Sequence, residues 1–278
     1  WLRPLGLTCG PPARVGWYHL AQEATDEAGR GQRIDASDEA LAFTIASVPG
    51  YLTTVLEHFM RRRPEGDCVA SATAEILAWL SDSVPSELEP LVLLPSGARG
   101  PHLPTLGAVS GIVQRLGGDP VRAPAGAASG DAEEPRVFAS GDACVYWHPV
   151  WGGWYDFRAA LVLRGAAVAA ASATLAPPPP LAALSAAEGA ALLRARASDP
   201  DGRGWRDAPG QPADRRFSAE EYLFFAEASL SRQRCYLELR AERSDATPGL
   251  RLAQLPRCPR VVGLGGRALA EPALAGSP

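Results

Sequence analysis

The side chains in this sequence best able to do chemistry are its arginines. The chain has 278 residues and 27 basic side chains, all of them arginine; lysine and asparagine are absent. Lysine Schiff-base chemistry, and with it pyridoxal-phosphate catalysis, is therefore excluded. A phosphate loop ending in Gly-Lys-Ser/Thr is excluded too. Anions must be met by guanidinium groups, helix N-termini or backbone N–H groups, and the guanidinium fork suits a carboxylate because it can donate to both oxygens at once.

The most distinctive segment is Trp147-His148-Pro149-Val150-Trp151-Gly152-Gly153-Trp154-Tyr155-Asp156-Phe157-Arg158. Its paired glycines permit a tight reversal flanked by aromatic rings. Strand alternation places Tyr155, Phe157, Ala159, Leu161 and Leu163 on one apolar face, with Asp156 and Arg158 on the other. A charge one layer from a core strand is either a solvated edge or part of a site. His148 can ligate a metal or anchor a turn, the commoner role. His19, His58 and His102 lack metal-ligand spacing. Trp147, Trp151 and Trp154 can stack on a flat ligand or simply pack. Cys9, Cys68, Cys144, Cys235 and Cys258 are odd in number and widely spaced, with no Cys-x-x-Cys pair. This pattern argues against a disulfide framework or structural zinc and for a reducing, cytoplasmic compartment.

A net charge of -4 disfavours a counterion-releasing nucleic-acid binder. The longest weakly apolar run, Gly165 to Ala176, is too short to span a bilayer, and the N-terminus shows no secretory signal pattern; neither nucleic acid nor membrane is expected as a partner. The pattern predicts a strand over Leu41–Ala46 and a helix opening at Val48-Pro49 and running to Met60 or Arg62. A second helix is expected over Asp67–Val84, with Val69, Ala72, Ile76 and Leu80 on one face. A buried strand follows at Leu91–Leu94, then a helix over Thr105–Leu116 closed by Gly117-Gly118. Arg136–Pro149 and Trp154–Gly165 read as strands joined at Trp151-Gly152-Gly153. Ser185/Glu188 and Ser218/Glu221 are capping boxes that start two more helices. Residues 122–135 read as a loop and 176–181 as a stiff strap around Pro177–Pro180. The whole is an α/β arrangement, an α+β sandwich about a central sheet, in one domain over residues 1–243 with a disordered tail over 244–278. The glycine cluster Gly263-Leu264-Gly265-Gly266 in that tail is a weak phosphate-binding signal.

The 147–158 segment resembles the His-Pro-Arg-Phe-Gly-Gly-Trp-Phe-x-Ile-Arg-Gly stretch of vitamin B12 (cobalamin) processing chaperones of the cblC type. Further matches follow in order. Pro4-Leu5-Gly6-Leu7 with Gly16-Trp17-Tyr18 is similar to that family's opening. Leu41-Ala42-Phe43 with Ser47-Val48-Pro49 resembles its Leu-Ala-Phe and Ser-Thr-Pro, and Asp67-Cys68-Val69-Ala70 its Asp-Gln-Cys-Val-Ala. Trp205-Arg206-Asp207-Ala208 resembles Tyr-Arg-Asp-Ala, Arg216-Phe217-Ser218-x-Glu220 resembles Arg-Tyr-Ser-Glu-Glu, and Gln233-Arg234 a later Gln-Arg. The resemblance runs from about Pro4 to Leu239 and marks a divergent homologue.

It implies a flavin-nitroreductase-like fold with a mixed or antiparallel central sheet. It also implies uptake of cobalamin with its base detached, reductive decyanation of cyanocobalamin by a reduced flavin (FMN or FAD), and dealkylation of alkylcobalamins by glutathione. A monomer or ligand-dependent homodimer handing cobalamin to a downstream trafficking protein is expected. The positions matching the family's glutathione arginines are Arg158, Arg206 and Arg234. The plain alternatives are a salt bridge to Asp207 or a helix cap for Arg206, and a solvated helical face for Arg234. No protein nucleophile is needed, since the thiolate acts by proximity. The corrin is expected against Pro101, His102, Leu103, Pro104, Ala108, Gly111, Arg115, Leu116, Gly117, Tyr146 and Phe157, a largely apolar lining suited to a macrocycle. Small residues Gly107, Ala108, Ser110 and Gly111 would let a flat ring approach closely, or serve ordinary helix-on-sheet packing. The family's histidine is replaced by Ala108, its Lys-Ile-Leu-Ala-Gln by Gly100–Pro104, its tyrosine run by Val113–Gly117, and its cysteine near His-Pro by Tyr146. Two other readings share these residues: a flavin-dependent reductase with another substrate, and a non-catalytic cobalamin carrier.

Overall fold

The computed structural model describes residues 2–24, 32–62, 68–95, 100–117, 144–179, 181, 183–198, 204–207 and 211–226. The expected loop 122–135, the tail 244–278 and Arg234 lie outside the described residues.

The centre is an antiparallel sheet. Strands β1 (Leu7–Cys9) and β2 (Ala13–Arg14) both pair with β3 (Leu41–Ser47). β3 pairs in turn with β7 (Asp156–Leu163), which pairs with β4 (Pro90–Leu93). β3 and β7 are buried and rich in Ala, Val, Ile and Leu because helices cover both faces of the sheet. On one face, Ile45, Ala159 and Leu161 pack with Leu52, Leu56, Met60, Val69, Ala72, Leu77 and Phe224. These come from a π-helical segment Leu52–Leu56, which continues as α2 (Glu57–Arg62), from α3 (Cys68–Asp82) and from α7 (Ala219–Ala226). On the other face, Ala42, Ala160 and Val162 pack with Val15, Trp17, Tyr18, Leu103 and Leu106, carried by α1 (Val15–Glu23) and α4 (Leu103–Val109).

A smaller core stands beside this sandwich. A two-stranded ribbon, β5 (Gln114–Leu116) with β6 (Val145–Trp147), packs Val145 and Trp147 against Leu192 and Trp205. Leu192 belongs to α6 (Ala186–Ser198) and Trp205 to a 3-10 turn, Gly204–Asp207. α5 (Ala166–Ser172) follows β7.

Both capping boxes form. Glu188 N–H donates to Ser185 Oγ at 3.3 Å while Ser185 N–H donates to Glu188 Oε2 at 2.8 Å, and Ser218 and Glu221 exchange the same two bonds at 3.0 and 3.1 Å. The Ser185 hydroxyl, at 2.7 Å, and the Ser185 N–H both donate to the Glu188 carboxylate and lower its pKa.

Three expectations are corrected. The helix expected to reach Leu116 ends at Val109, because Gly111 takes φ +75° and turns the chain; Gln114–Leu116 then extend into β5. The strands either side of Gly152-Gly153 do not pair with each other. The reversal at His148–Gly152 is present, but β6 joins β5 while β7 joins the central sheet. The expected single face of Tyr155, Phe157, Ala159 and Leu161 is broken. Ile45 pairs with Ala159, yet the next residue, Ala46, pairs with Phe157. Arg158 is thus the extra residue of a β-bulge, which shifts the side-chain phase. Phe157 accordingly packs in the α1/α4 core, and Ala159 and Leu161 in the α2/α3 core.

Candidate functional site

The bulge puts a cation where the sheet should be apolar. Arg158 is only 9% exposed, so the solvated-edge reading of this position does not hold. Its Nε donates to Ser47 Oγ at 2.8 Å, and its Nη1 meets Asp156 Oδ2 at 2.9 Å. Its guanidinium carbon stands 4.8 Å from the Phe225 ring centroid and 5.7 Å from that of Tyr51, within cation–π range. Its Nη2 is buried without a hydrogen-bond partner among the described residues. A buried guanidinium nitrogen left unpaired costs free energy, and such an atom marks a place a ligand acceptor can fill.

Arg206 lies on the Gly204–Asp207 turn. Its Nη1 donates to the Gly153 carbonyl, and its guanidinium carbon is 4.6 Å from the Trp205 ring centroid and 5.8 Å from that of Trp154. Burial lowers its pKa; the nearby Tyr222 and Asp156 work the other way. Gly153 has to be glycine here, since a Cβ would stand 2.8 Å from the Trp205 ring and 3.1 Å from Arg206 Cα. Asp156 therefore acts on both arginines: it pairs directly with Arg158, and its charge reaches Arg206. The salt bridge to Asp207, the plain alternative for Arg206, gives way to other contacts. Asp207 accepts from Trp154 Nε1 at 2.9 Å and pairs with Arg216 Nε at 3.2 Å.

Of the residues expected to meet a corrin, His102, Arg115, Tyr146 and Phe157 stand along a seam between α4 and the β5–β6 ribbon. His102 sets its ring edge-on to Tyr146 at 6.2 Å and shares a 2.7 Å hydrogen bond with Thr105 through Nδ1. Arg115 lies opposite Tyr146 in the ribbon, and its Nε donates to Cys144 Sγ at 3.1 Å. Phe157 lies against α4: a Cβ on Gly107 would be 2.5 Å from Phe157 Cζ. Pro101, Pro104 and Ala108 are half-buried at and within α4, and Gly117 is half-buried just past β5, whereas Leu116 packs with the small core of Val145, Trp147, Leu192 and Trp205. Gly111, with its left-handed φ, faces Pro178 of the strap. Leu103 is buried in the main core.

Sequence reasoning missed Tyr155 as a member of this group. Its hydroxyl donates to the Tyr146 carbonyl at 2.9 Å, and its ring stands edge-on to Phe157 at 5.2 Å, joining the ribbon to the sheet. Burial, reinforced by the neighbouring Asp156 charge, holds its pKa well above the usual phenol range. Its place in an apolar alternation pointed to core packing, and the hydroxyl's partner is remote in pairing. Ser47 and Phe225, which hold Arg158, come from distant strand and helix and left no local signal.

His148 anchors the turn. Its Nδ1 accepts from Val150 N–H at 3.0 Å and Trp151 N–H at 3.2 Å. Trp147 and Trp154 are buried and packed, so their rings are committed to holding the reversal rather than to stacking on a flat ligand. No group of three or more His, Cys, Asp or Glu among the described residues is placed to hold a metal. No helix among them is long and apolar enough to cross a membrane.

Comparison with known protein families gives no match, and comparison with curated proteins gives none either. The fold is similar to that of a solved structure described as a B12-trafficking protein CblC of C. elegans, a human MMACHC homologue. The TM-score is 0.54 at 18% identity, covering 83% of this chain and 90% of that one. The likeness is one of fold: a mixed α/β architecture about an antiparallel sheet.

Proposed function

We propose that the chain is a cobalamin-processing protein on a flavin-nitroreductase-like fold. The observation that carries this reading is the bulge that buries Arg158, one Nη unpaired, next to Asp156 and within charge reach of Arg206. It stands beside a seam lined by His102, Arg115, Tyr146 and Phe157, and the C. elegans B12-trafficking protein has a similar fold. In this reading the corrin, with its nucleotide base detached, enters the seam from the α4 side. Phe157 must leave Gly107 for the ring to seat there. Arg158 and Arg206, with Arg234, hold the carboxylates of glutathione so that its thiolate faces the cobalt-bound alkyl carbon. The S–C bond forms as the Co–C bond breaks, and the bonding pair stays on cobalt, which leaves as cobalt(I). Positioning does the work, and no side chain acts as nucleophile. The reading includes reductive loss of cyanide from cyanocobalamin, with electrons from a reduced flavin, FMN or FAD, arriving from solution.

The test follows the visible spectrum of methylcobalamin mixed with the protein. Uptake shifts the long-wavelength band to shorter wavelength as the base leaves cobalt, and glutathione then produces a second change as the methyl group departs. No change at either stage overturns the reading. Arg206→Ala is expected to slow the second stage roughly tenfold or more, the effect of losing a charge-assisted contact, while the first stage stays within about twofold. Equal slowing of both stages removes Arg206 from the thiol site. A carrier without chemistry is the second reading. It is favoured by the engagement of both described arginines with the protein's own groups, and it predicts the first spectral change without the second.

A further inference from the structure

The Nη1 end of Arg158 is already met by an acid of the chain's own. Nε is spent on Ser47, and Nη2 is buried without a partner among the described residues. The Phe225 ring lies over the guanidinium and the Tyr51 ring stands near it. Nη1 meets Asp156, whose side chain is 54% exposed against 10% for Arg158. An exposed carboxylate therefore closes the open end of a buried cation. A ligand carboxylate that grips the guanidinium through both Nη groups needs the unpaired Nη2 and also the Nη1 that Asp156 holds. Two carboxylates at one guanidinium edge would repel each other at short range, and the desolvated site strengthens that repulsion. The sequence makes this arrangement through spacing: Asp156 and Arg158 stand two apart at the bulge, so a strand neighbour reaches the extra residue's side chain.

We infer that Asp156 is a built-in competitor that occupies the carboxylate seat of Arg158, and that an acidic ligand binds there by displacing it. Its exposure leaves it free to swing into water, whereas Arg158 is fixed by Ser47 and the rings. The inference rests on the proposed function for the identity of the ligand, glutathione, and not for the existence of the seat.

The test separates the two. Asp156→Ala empties the seat, and acetate is a carboxylate of the size removed. In the full chain, the thermal midpoint of Asp156→Ala is expected to fall by about 2 °C, the scale for one half-exposed ion pair in a domain of this size. Acetate is expected to restore it relative to chloride at equal ionic strength. The wild type should respond no differently to the two salts. Asp156→Asn fills the seat with an isosteric amide and should likewise ignore acetate. Acetate acting no better than chloride on Asp156→Ala overturns the proposal. A calorimetric titration with reduced glutathione forms the second arm. Removing the competitor is expected to tighten binding about fivefold, the equivalent of one exposed pair; where the wild type binds glutathione, equal or weaker binding to Asp156→Ala overturns the proposal. If acetate rescues Asp156→Ala but glutathione binds neither protein, the seat stands and the glutathione part of the proposed function falls.

Discussion

His148 shows how one ring can tie a turn to the pH of the solution. Nδ1 faces two backbone N–H donors, so it must carry a lone pair rather than a proton. The ring is also buried, 5.6 Å from the Tyr155 ring centroid. Burial lowers its pKa from 6.5 to about 4. The unfolded chain takes up this proton below 6.5 and the folded chain only near 4. Stability from this group is therefore complete above pH 6.5 and is lost as pH falls from 6.5 toward 4, up to about 3 kcal/mol at the lower end. Asn places its side-chain oxygen where Nδ1 stands but does not titrate. His148→Asn is thus expected to fold about as well as the wild type at pH 7.5 and to lose less stability between pH 6.5 and 4.5, as read by urea unfolding at each pH. Parallel pH profiles for the two proteins would remove His148 as the titrating group.

At the scale of elements, Glu221 does more than its capping box required. Its Oε2 accepts from Ser218 N–H, and its Oε1 accepts from Gly50 N–H at 2.8 Å and Leu52 N–H at 3.3 Å. One carboxylate, 3% exposed, thereby satisfies N-terminal amides of α7 and of the helix that leads into α2. Burial raises its pKa, and the three backbone bonds oppose that shift. Glu221→Ala orphans three amides and is expected to cost about 3 kcal/mol. Glu221→Gln keeps an acceptor for Gly50 and is expected to cost about half of that; equal losses in denaturant titration would show that the carboxylate's second oxygen carries the effect. The Ser218/Glu221 box was legible because its residues lie within one turn, and so were β3, β4 and α3, whose periodicity is local. The reach of Glu221 across to Gly50 was not, since nothing near either residue announces the other. The bulge at Arg158 was hidden for a related reason. It is a property of how β7 registers against β3, and a single strand read alone gives an unbroken alternation. The separation of β6 from β7 was hidden too: Gly152-Gly153 specifies a reversal, but the pairing of each arm is settled by β5 and β3. Arg158 and Arg206 were found through matched local wording, while Asp156, Tyr155, Ser47 and Phe225 acquire their roles from pairing alone.

At the scale of the whole molecule, two cores meet where β7 follows the ribbon, and His102 also meets Tyr146 edge-on across them. The sandwich holds Phe157 and the ribbon holds Tyr146, with Tyr155 between them through one hydrogen bond and one edge-on ring contact. Arg206 adds a further tie, from the turn beside Trp205 to the Gly153 carbonyl. A macrocycle seated along α4, as proposed, would touch both cores and add apolar contact between them. Binding to the folded state alone stabilises it by about 2.7 kcal/mol at a hundredfold excess over the dissociation constant. For a domain of this size that corresponds to a rise of about 5–10 °C in the thermal midpoint. Methylcobalamin is therefore expected to raise the calorimetric midpoint. Phe157→Ala should take up methylcobalamin faster in the spectral assay, since its ring no longer covers Gly107, although its own apo midpoint should fall through loss of packing. A raised midpoint with methylcobalamin, together with uptake no faster in Phe157→Ala, would place the corrin elsewhere than the seam between α4 and the ribbon.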